Sequence, residues 1–226
     1  MHQIIKLAKK EKRSLLESEA KKILLENNIS VPDFMLLKTE DDLKKIFGCV
    51  GYPVVMKIVS PDIIHKTEAG GVKIGIKNGK EALIAFREII HNAKKYKSSA
   101  HIHGIIACKM IPQSTEIIIG MIKDPHFGPV IMFGLGGIFV EILKDVSFRV
   151  IPIEEKDAED MIKEIAGYKM LQGIRGESPK NLKAIKELLF KISRIAIKNP
   201  EIMEIDLNPV FVFENGLQVI DARMIL

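Results

Sequence analysis

Residues 53–77 read PVVMKIVSPDIIHKTEAGGVKIGIK. Three features of this stretch could do chemistry. Lys57 lies inside an apolar run, flanked by Val55 and Val59 on its own strand face. An unpaired buried ammonium is costly, so Lys57 calls for a carboxylate or a phosphate. The alternative is an edge-strand lysine whose stem is buried and whose head reaches water. The loop that follows carries His65, Lys66 and Glu68. A neutral imidazole there can act as a nucleophile toward a phosphoryl group, although the residues alone do not set His65 apart from a surface histidine. Gly70-Gly71 closes the loop and lets backbone amides approach an anion. Such a pair is also an ordinary turn, and it gains meaning from Lys57, Lys66 and Lys73 around it.

A second constellation lies near the C-terminus, where MEIDLNPVFVF, ENG and LQVIDARMI read as a β-hairpin with an Asn215-Gly216 turn. That turn puts Glu214 opposite Leu217, Asn208 opposite Arg223 and Val210 opposite Asp221. Glu204, Asp206 and Asn208 then share one strand face, with Asp221 and Arg223 on the same side. Asp221 is a diagonal neighbour of Asn208 at about 7–8 Å. These hard oxygen donors suit Mg²⁺ held jointly with nucleotide phosphates. A solvent-facing acidic sheet face explains the same pattern, because Ile205 and Leu207 make the other face apolar.

The elements that must position these residues follow from periodicity. Residues 14–28 space apolar residues by three and four, with Ser14 as N-cap and Glu17 at the capping-box position. A strand at 34–38 leads to a helix at 40–51 capped by Thr39. Strands are predicted at 53–59 and 72–77, and a helix at 80–96 after Asn78-Gly79. Strands follow at 104–111, with Lys109 inside an apolar run, and at 115–122, led by Glu116. Residues 123–129 form a turn, 129–135 and 138–143 form strands, the latter carrying Glu141, and 154–166 form a helix. Residues 168–179 read as a loop, and Ser178 and Pro179 start a helix at 179–198. Strands paired by short turns and alternating with helices predict an α+β fold.

Composition narrows the function classes. The chain has 226 residues and a net charge of +5 spread along its length. Its densest basic block, KLAKKEKR at 6–13, reads as a solvated helix face rather than a nucleic-acid arm, and it lacks interleaved aromatics. Cys49 and Cys108 are isolated in apolar surroundings, which predicts reduced core residues of a cytoplasmic protein. No apolar run approaches the roughly 18 residues of a membrane span, so neither nucleic acid nor membrane is expected as a partner.

The stretches VVMKIVSPDIIHKTEAGGVKIGI, MIPQSTEIIIGMIKDPHFGPVIMFGLGGIFVEILKDVSFR, GIRGE, EIDLNPV and IDAR occur in that order. Together they resemble the ATP-grasp β subunit of ADP-forming acetyl-CoA synthetases (acetate–CoA ligases, ADP-forming), relatives of succinyl-CoA synthetase. The resemblance runs from residue 14 to the end. It implies an ATP-grasp fold, two α+β subdomains (1–110 and 111–226) enclosing a nucleotide site.

It also implies roles. Lys57 contacts nucleotide phosphates, and Gly70, Gly71 and Val72 form the glycine-rich loop over them. The backbone of Lys109, Met110 and Ile111 reads the adenine edge, and Glu116 lies near the ribose. Asn208 and Asp221 hold Mg²⁺, with Asp206 where relatives carry another acid. His65 matches a transiently phosphorylated histidine. Arg149 and Arg175–Glu177 match motifs with no role assigned. The chain has no recognisable CoA-binding fingerprint, so the resemblance implies a separate α subunit in an α₂β₂ heterotetramer. Two alternatives are an ATP-grasp carboxylate ligase without a histidine relay and a non-catalytic nucleotide-binding regulatory subunit.

Overall fold

A computed structural model describes residues 2–137, 143–174, 176 and 178–226. Most of the expected 138–143 strand, with Glu141, lies outside the described residues, as do Arg175 and Glu177.

In chain order the elements begin with α1 (Gln3–Lys10), α2 (Glu17–Glu26), β1 (Phe34–Leu37), a 3-10 segment (Glu40–Lys45) running into α3 (Ile46–Cys49), β2 (Val54–Val59) and β3 (Val72–Ile76). Then come α4 (Gly79–Tyr96), β4 (Gly104–Lys109), β5 (Thr115–Asp124), β6 (Gly128–Leu135) and β7 (Val146–Val150). The chain ends with α5 (Glu155–Glu164), α6 (Tyr168–Leu171), α7 (Leu182–Lys198), β8 (Glu204–Phe213), β9 (Gly216–Val219) and β10 (Arg223–Ile225).

The chain divides into two units. One contains residues 16–19 and 32–112, and the other contains 1–15, 20–31 and 113–226. The latter grouping differs from the expected 1–110 subdomain in taking most of the N-terminal segment. Backbone bonds explain it. Leu15 N–H donates to Met224 O (3.1 Å) and Val219 N–H to Ser30 O (2.9 Å).

The first unit holds an antiparallel sheet in the order β1-β4-β2-β3. Alternation along β2 sends Val54, Met56 and Ile58 into a core with Ile105 and Ala107 of β4 and with Ala82, Phe86 and Ile89 of α4. Val59 instead joins Ile106, Cys108 and Leu16 in a smaller apolar cluster. Lys57 is on that second side. Of the two cysteines expected in the core, Cys108 is buried but Cys49 is exposed at the end of α3.

The second unit holds β10-β8-β5-β6-β7, with β9 beside β8. Ile117, Ile119 and Met121 of β5 are buried, as are Ile131 and Phe133 of β6 and Leu188, Leu189 and Ile192 of α7. In α1, Ile5 and Ala8 are fully buried while Lys6, Lys9 and Lys10 are exposed, so the basic block is a solvated helix face. Arg149 on β7 pairs with Glu164 of α5, one contact at 3.0 Å, and lies 3.7 Å from Asp157. The Glu164 carboxylate holds the guanidinium above its ordinary pKa, so Arg149 ties strand to helix.

Several expected ends move. The helix predicted at 14–28 spans 17–26, and the carboxylate that accepts from Leu16 N–H (2.9 Å) is that of Glu19. Ser14 and Glu17 form no capping box, because Glu17 turns to two lysines. The helix expected at 40–51 starts as a 3-10 turn, with Asp42 accepting from Lys38 and Thr39 N–H (3.0 and 3.1 Å). The helix expected at 179 starts at Leu182 under an Asn181 cap on Ala184 N–H (2.9 Å). Lys180 and Asn181 instead donate to Leu171 O and Phe213 O (2.9 Å each), which keeps Ser178 and Pro179 out of the helix. Among the described residues no helix is long and apolar enough to cross a membrane.

Candidate active site

Lys57 finds a carboxylate. Its Nζ lies 2.9 Å from Glu17 Oε1, and the side chains are 8% and 3% exposed. The other oxygen of Glu17 lies 2.6 Å from Lys66 Nζ. One buried carboxylate therefore bridges a strand lysine and a lysine of the His65 loop. Glu17 is the partner of Lys57 and Lys66 that sequence reasoning missed. It lies forty positions before Lys57, where a helix-start glutamate is indistinguishable from a capping residue.

The loop between β2 and β3 is held at both feet. Asp62 accepts from His101 N–H (2.7 Å) and lies 3.4 Å from Lys97 Nζ. The His101 bond, then Lys97, keeps the Asp62 carboxyl below the ordinary range. Ile63 and Ala69 are buried, and Asn92 Nδ2 donates to Gly70 O (3.2 Å). Between these feet Ile64, His65, Thr67 and Glu68 are exposed, while Lys66 turns inward. His65 Nδ1 lies 3.7 Å from Glu68 Oε1.

The glycine pair serves the loop in a way the sequence did not reveal. Gly70 N–H donates to Thr67 O (3.0 Å) and Gly71 N–H to Lys66 O (2.8 Å). Both amides are engaged inside the loop, contrary to the expectation that they point at an anion. Gly70 has φ +61°, and a Cβ on Gly71 would stand 2.5 Å from Ile58 Cγ2. The amide that remains is that of Val72. Val72 opposes Lys57, and the neighbouring bond Ile58 N–H to Gly71 O makes Lys57–Val72 a non-hydrogen-bonded pair. Its N–H therefore points to the edge of the sheet that no strand among the described residues pairs.

The expected adenine-reading segment divides in the same way. Lys109 N–H donates to Asp33 O (2.8 Å) and Met110 N–H to Pro53 O (3.0 Å). Pro53 has no N–H to return, so the Met110 carbonyl faces it without a ladder donor. Ile111 N–H follows just beyond the strand.

In the second unit, Glu116 and Gly120 alternate with the buried Ile117 and Ile119 on β5. Gly120 opposes Asp206, and Asp206 opposes Arg223, so Glu116, Asp206 and Arg223 share one sheet face. The hairpin register is shifted by two residues from the expected one. Phe213 pairs with Gly216, making Glu214-Asn215 the turn. A shift of two preserves every face, whereas a shift of one would have reversed them. Asp206 rather than Asn208 therefore faces Arg223.

Ile220 N–H donates to Pro209 O (3.0 Å), and the same count sets Asn208 opposite Asp221. Against β5, the ladder gains one extra residue at Asn208-Pro209. Pro209, without an N–H, is at home in such a bulge. Asn208 is exposed, and Asp206 and Asp221 are half-buried. Among the described residues no three His, Cys, Asp or Glu side chains form a metal-holding cluster. The set offered here is two carboxylates and a carboxamide, all hard oxygen donors that fit Mg²⁺.

The ATP-grasp domain family matches residues 6–226. The β subunit of acetate–CoA ligase (ADP-forming) I of Pyrococcus furiosus is 55% identical over 99% of this chain and 97% of that one. The chain is 44% identical to acetate–CoA ligase (ADP-forming) I of Archaeoglobus fulgidus, and the match covers 92% of this chain but 30% of the relative. Two structures of acetyl-coenzyme A synthetase 1 from Ca. Korarchaeum cryptofilum align closely. One, with coenzyme A, acetyl-coenzyme A and a phosphorylated phosphohistidine segment, has TM-score 0.91 and 46% identity over 99% of this chain and 98% of that one. The other, with coenzyme A and Mg-AMPPCP and its phosphohistidine segment pointing towards the nucleotide binding site, has TM-score 0.86 and 44% identity over the same shares. The chain belongs to the ATP-grasp family and, within it, to the β subunits of ADP-forming acetate–CoA ligases.

Proposed function

We infer that this chain is the nucleotide-binding β subunit of an ADP-forming acyl-CoA synthetase. With a CoA-binding α partner it catalyses acyl-CoA + ADP + phosphate ⇌ carboxylate + ATP + CoA. The observation that carries this reading is His65, exposed on a loop that is tied through Lys66 to the carboxylate holding Lys57.

His65 carries the phosphoryl group. With Nδ1 turned to Glu68, the lone pair on Nε2 is the acceptor. The α partner makes an acyl phosphate and captures its phosphoryl group on a histidine of its own. His65 Nε2 then attacks that phosphorus, a P–N bond to His65 forms and the P–N bond to the partner's histidine breaks. In the second transfer ADP oxygen attacks phosphorus and the imidazole leaves. The carboxylate of Glu68 favours the positive charge that the ring gains while phosphorylated. Lys57 neutralises phosphate charge, so the protein's contribution is positioning and electrostatics.

Of Gly70, Gly71 and Val72, the Val72 N–H supplies the backbone donor to phosphate, and the glycines shape the turn. The Met110 carbonyl accepts from the adenine amino group, Ile111 N–H donates to the ring edge, Lys109 fixes the segment, and Glu116 lies by the ribose. Asn208 and Asp221, with Asp206, hold Mg²⁺, which supplies charge neutralisation on the nucleotide phosphates when bound. Cys49 and Cys108, neither of them in a disulfide, fit the cytoplasm, and the partner assembly is taken as α₂β₂.

The test uses the complex with its CoA-binding partner, incubated with acetyl-CoA and labelled phosphate. Acid-labile, base-stable label is expected on this chain and absent in His65→Asn. Label that persists in His65→Asn excludes the relay as placed.

A further inference from the structure

The machinery above uses Lys57 and His65 and leaves Glu17 without a role. Glu17 is a buried acid whose two oxygens go to two different parts of the unit. Oε1 holds Lys57 on β2 and Oε2 holds Lys66, the residue after His65. Among residues 64–68, Lys66 is the one not exposed. The feet of the loop also have contacts outside it, Asp62 accepting from His101 N–H, Ile63 and Ala69 buried, and Gly70 O accepting from Asn92. From the tip, Lys66 adds a charge-assisted contact to Glu17.

We propose that Glu17 is a positioning residue, a latch that docks the His65 loop beside Lys57 and so defines the nucleotide-side state of the phosphoryl carrier. This rests on the function proposed above. Both ammoniums touch one carboxylate, so Lys66 is held within a carboxylate's span of Lys57. If Lys57 contacts nucleotide phosphates, the docked tip is on the phosphate side.

The charge count makes the latch releasable. Docked, both ammoniums share the Glu17 carboxylate. When Lys66 leaves, Glu17 remains neutralised by Lys57, so undocking strands no buried charge on the body of the unit. Lys66 itself is partly exposed and passes into water at modest cost. A charge-assisted contact of this kind corresponds to about a ten- to hundred-fold change in the docked population.

The test separates the latch from the relay. Lys66→Gln removes the loop's half of the contact and leaves the buried Glu17–Lys57 pair, so the variant folds. Amide exchange is measured on the full chain at Ala69, Gly70 and Gly71, whose N–H groups are bonded inside the loop. Exchange is expected to accelerate about tenfold or more in Lys66→Gln, with Lys66→Arg close to wild type. Wild-type protection in Lys66→Gln overturns the latch.

In the complex with the CoA-binding partner, labelling of His65 from Mg-ATP is expected to fall about tenfold in Lys66→Gln. Labelling from acetyl-CoA plus phosphate is expected to be retained, and Lys66→Arg to restore the ATP side. A parallel fall on both sides, or no fall on either, overturns the assignment of the docked state to the nucleotide. If wild type is labelled at His65 from neither side, the proposed function fails, and the exchange comparison still decides the latch.

Discussion

Replacing Glu17 should damage this protein far more than replacing its partner Lys57. Glu17→Gln removes the carboxylate between two ammoniums, one of them on a side chain 8% exposed. Lys57 is then left beside the apolar cluster of Val59, Ile106, Cys108 and Leu16 without that anion. Removing one partner of a buried ion pair costs about 3–5 kcal/mol. With a urea m-value of about 3 kcal/mol/M, the unfolding midpoint falls by about 1–1.7 M. Lys57→Met is different. It removes the buried ammonium itself, fills a similar volume, and leaves Glu17 paired with Lys66. Its cost should stay under about 1.5 kcal/mol. Glu17→Gln combined with Lys57→Met should recover about 2 kcal/mol relative to the sum of the singles. The chain has no tryptophan, so far-UV circular dichroism follows the urea transition. Additive singles, or a Lys57→Met cost equal to that of Glu17→Gln, would refute the argument that the Glu17 carboxylate supports the burial of Lys57.

Gly71→Ala places a methyl group 2.5 Å from Ile58 Cγ2. It should cost about 1–3 kcal/mol, seen as a lower thermal midpoint together with reduced labelling of His65. Asp62 anchors the upstream foot with its carboxyl held below the ordinary aspartate range, first by His101 N–H and then by Lys97. A depressed carboxyl gives its anchoring above the ordinary value and loses it as pH falls through the lowered one. Exchange of the loop amides should therefore rise only on acidification below the ordinary aspartate range in wild type, but already at neutral pH in Asp62→Asn. Asn208→Ala and Asp221→Ala should each raise the Mg²⁺ concentration needed for nucleotide binding by about tenfold. A magnesium titration of nucleotide binding that is unchanged in both variants rules out the hairpin as the metal site.

Much of this was legible because strand faces follow period two. The wrong turn residues at Asn215-Gly216 still left Asp206 and Asn208 on the correct side, since the real register differs by two. The need of Lys57 for a counter-charge was also legible from the valines around it. Which acid answers it was not, because the pairing spans forty residues and local pattern carries no information about it. The glycine pair misled in the opposite direction. Its amides serve the loop's own carbonyls, and its smallness serves packing against Ile58, so the open donor falls to Val72. Ser178 and Pro179 carry a strong helix-start signal, but backbone bonds from Lys180 and Asn181 to distant carbonyls hold the segment out of the helix. Arg149, unassigned from sequence, is explained by its carboxylate partners on α5.

The most direct test of the phosphoryl-carrier account is a chase experiment on the complex with the CoA-binding partner. The chain is first labelled at His65 from acetyl-CoA and labelled phosphate, then freed of small molecules and mixed rapidly with Mg²⁺ and ADP. The account predicts that label leaves His65 and appears in ATP at least as fast as steady-state turnover. Label that stays on the chain, leaves more slowly than turnover, or resides on a residue other than His65 contradicts it.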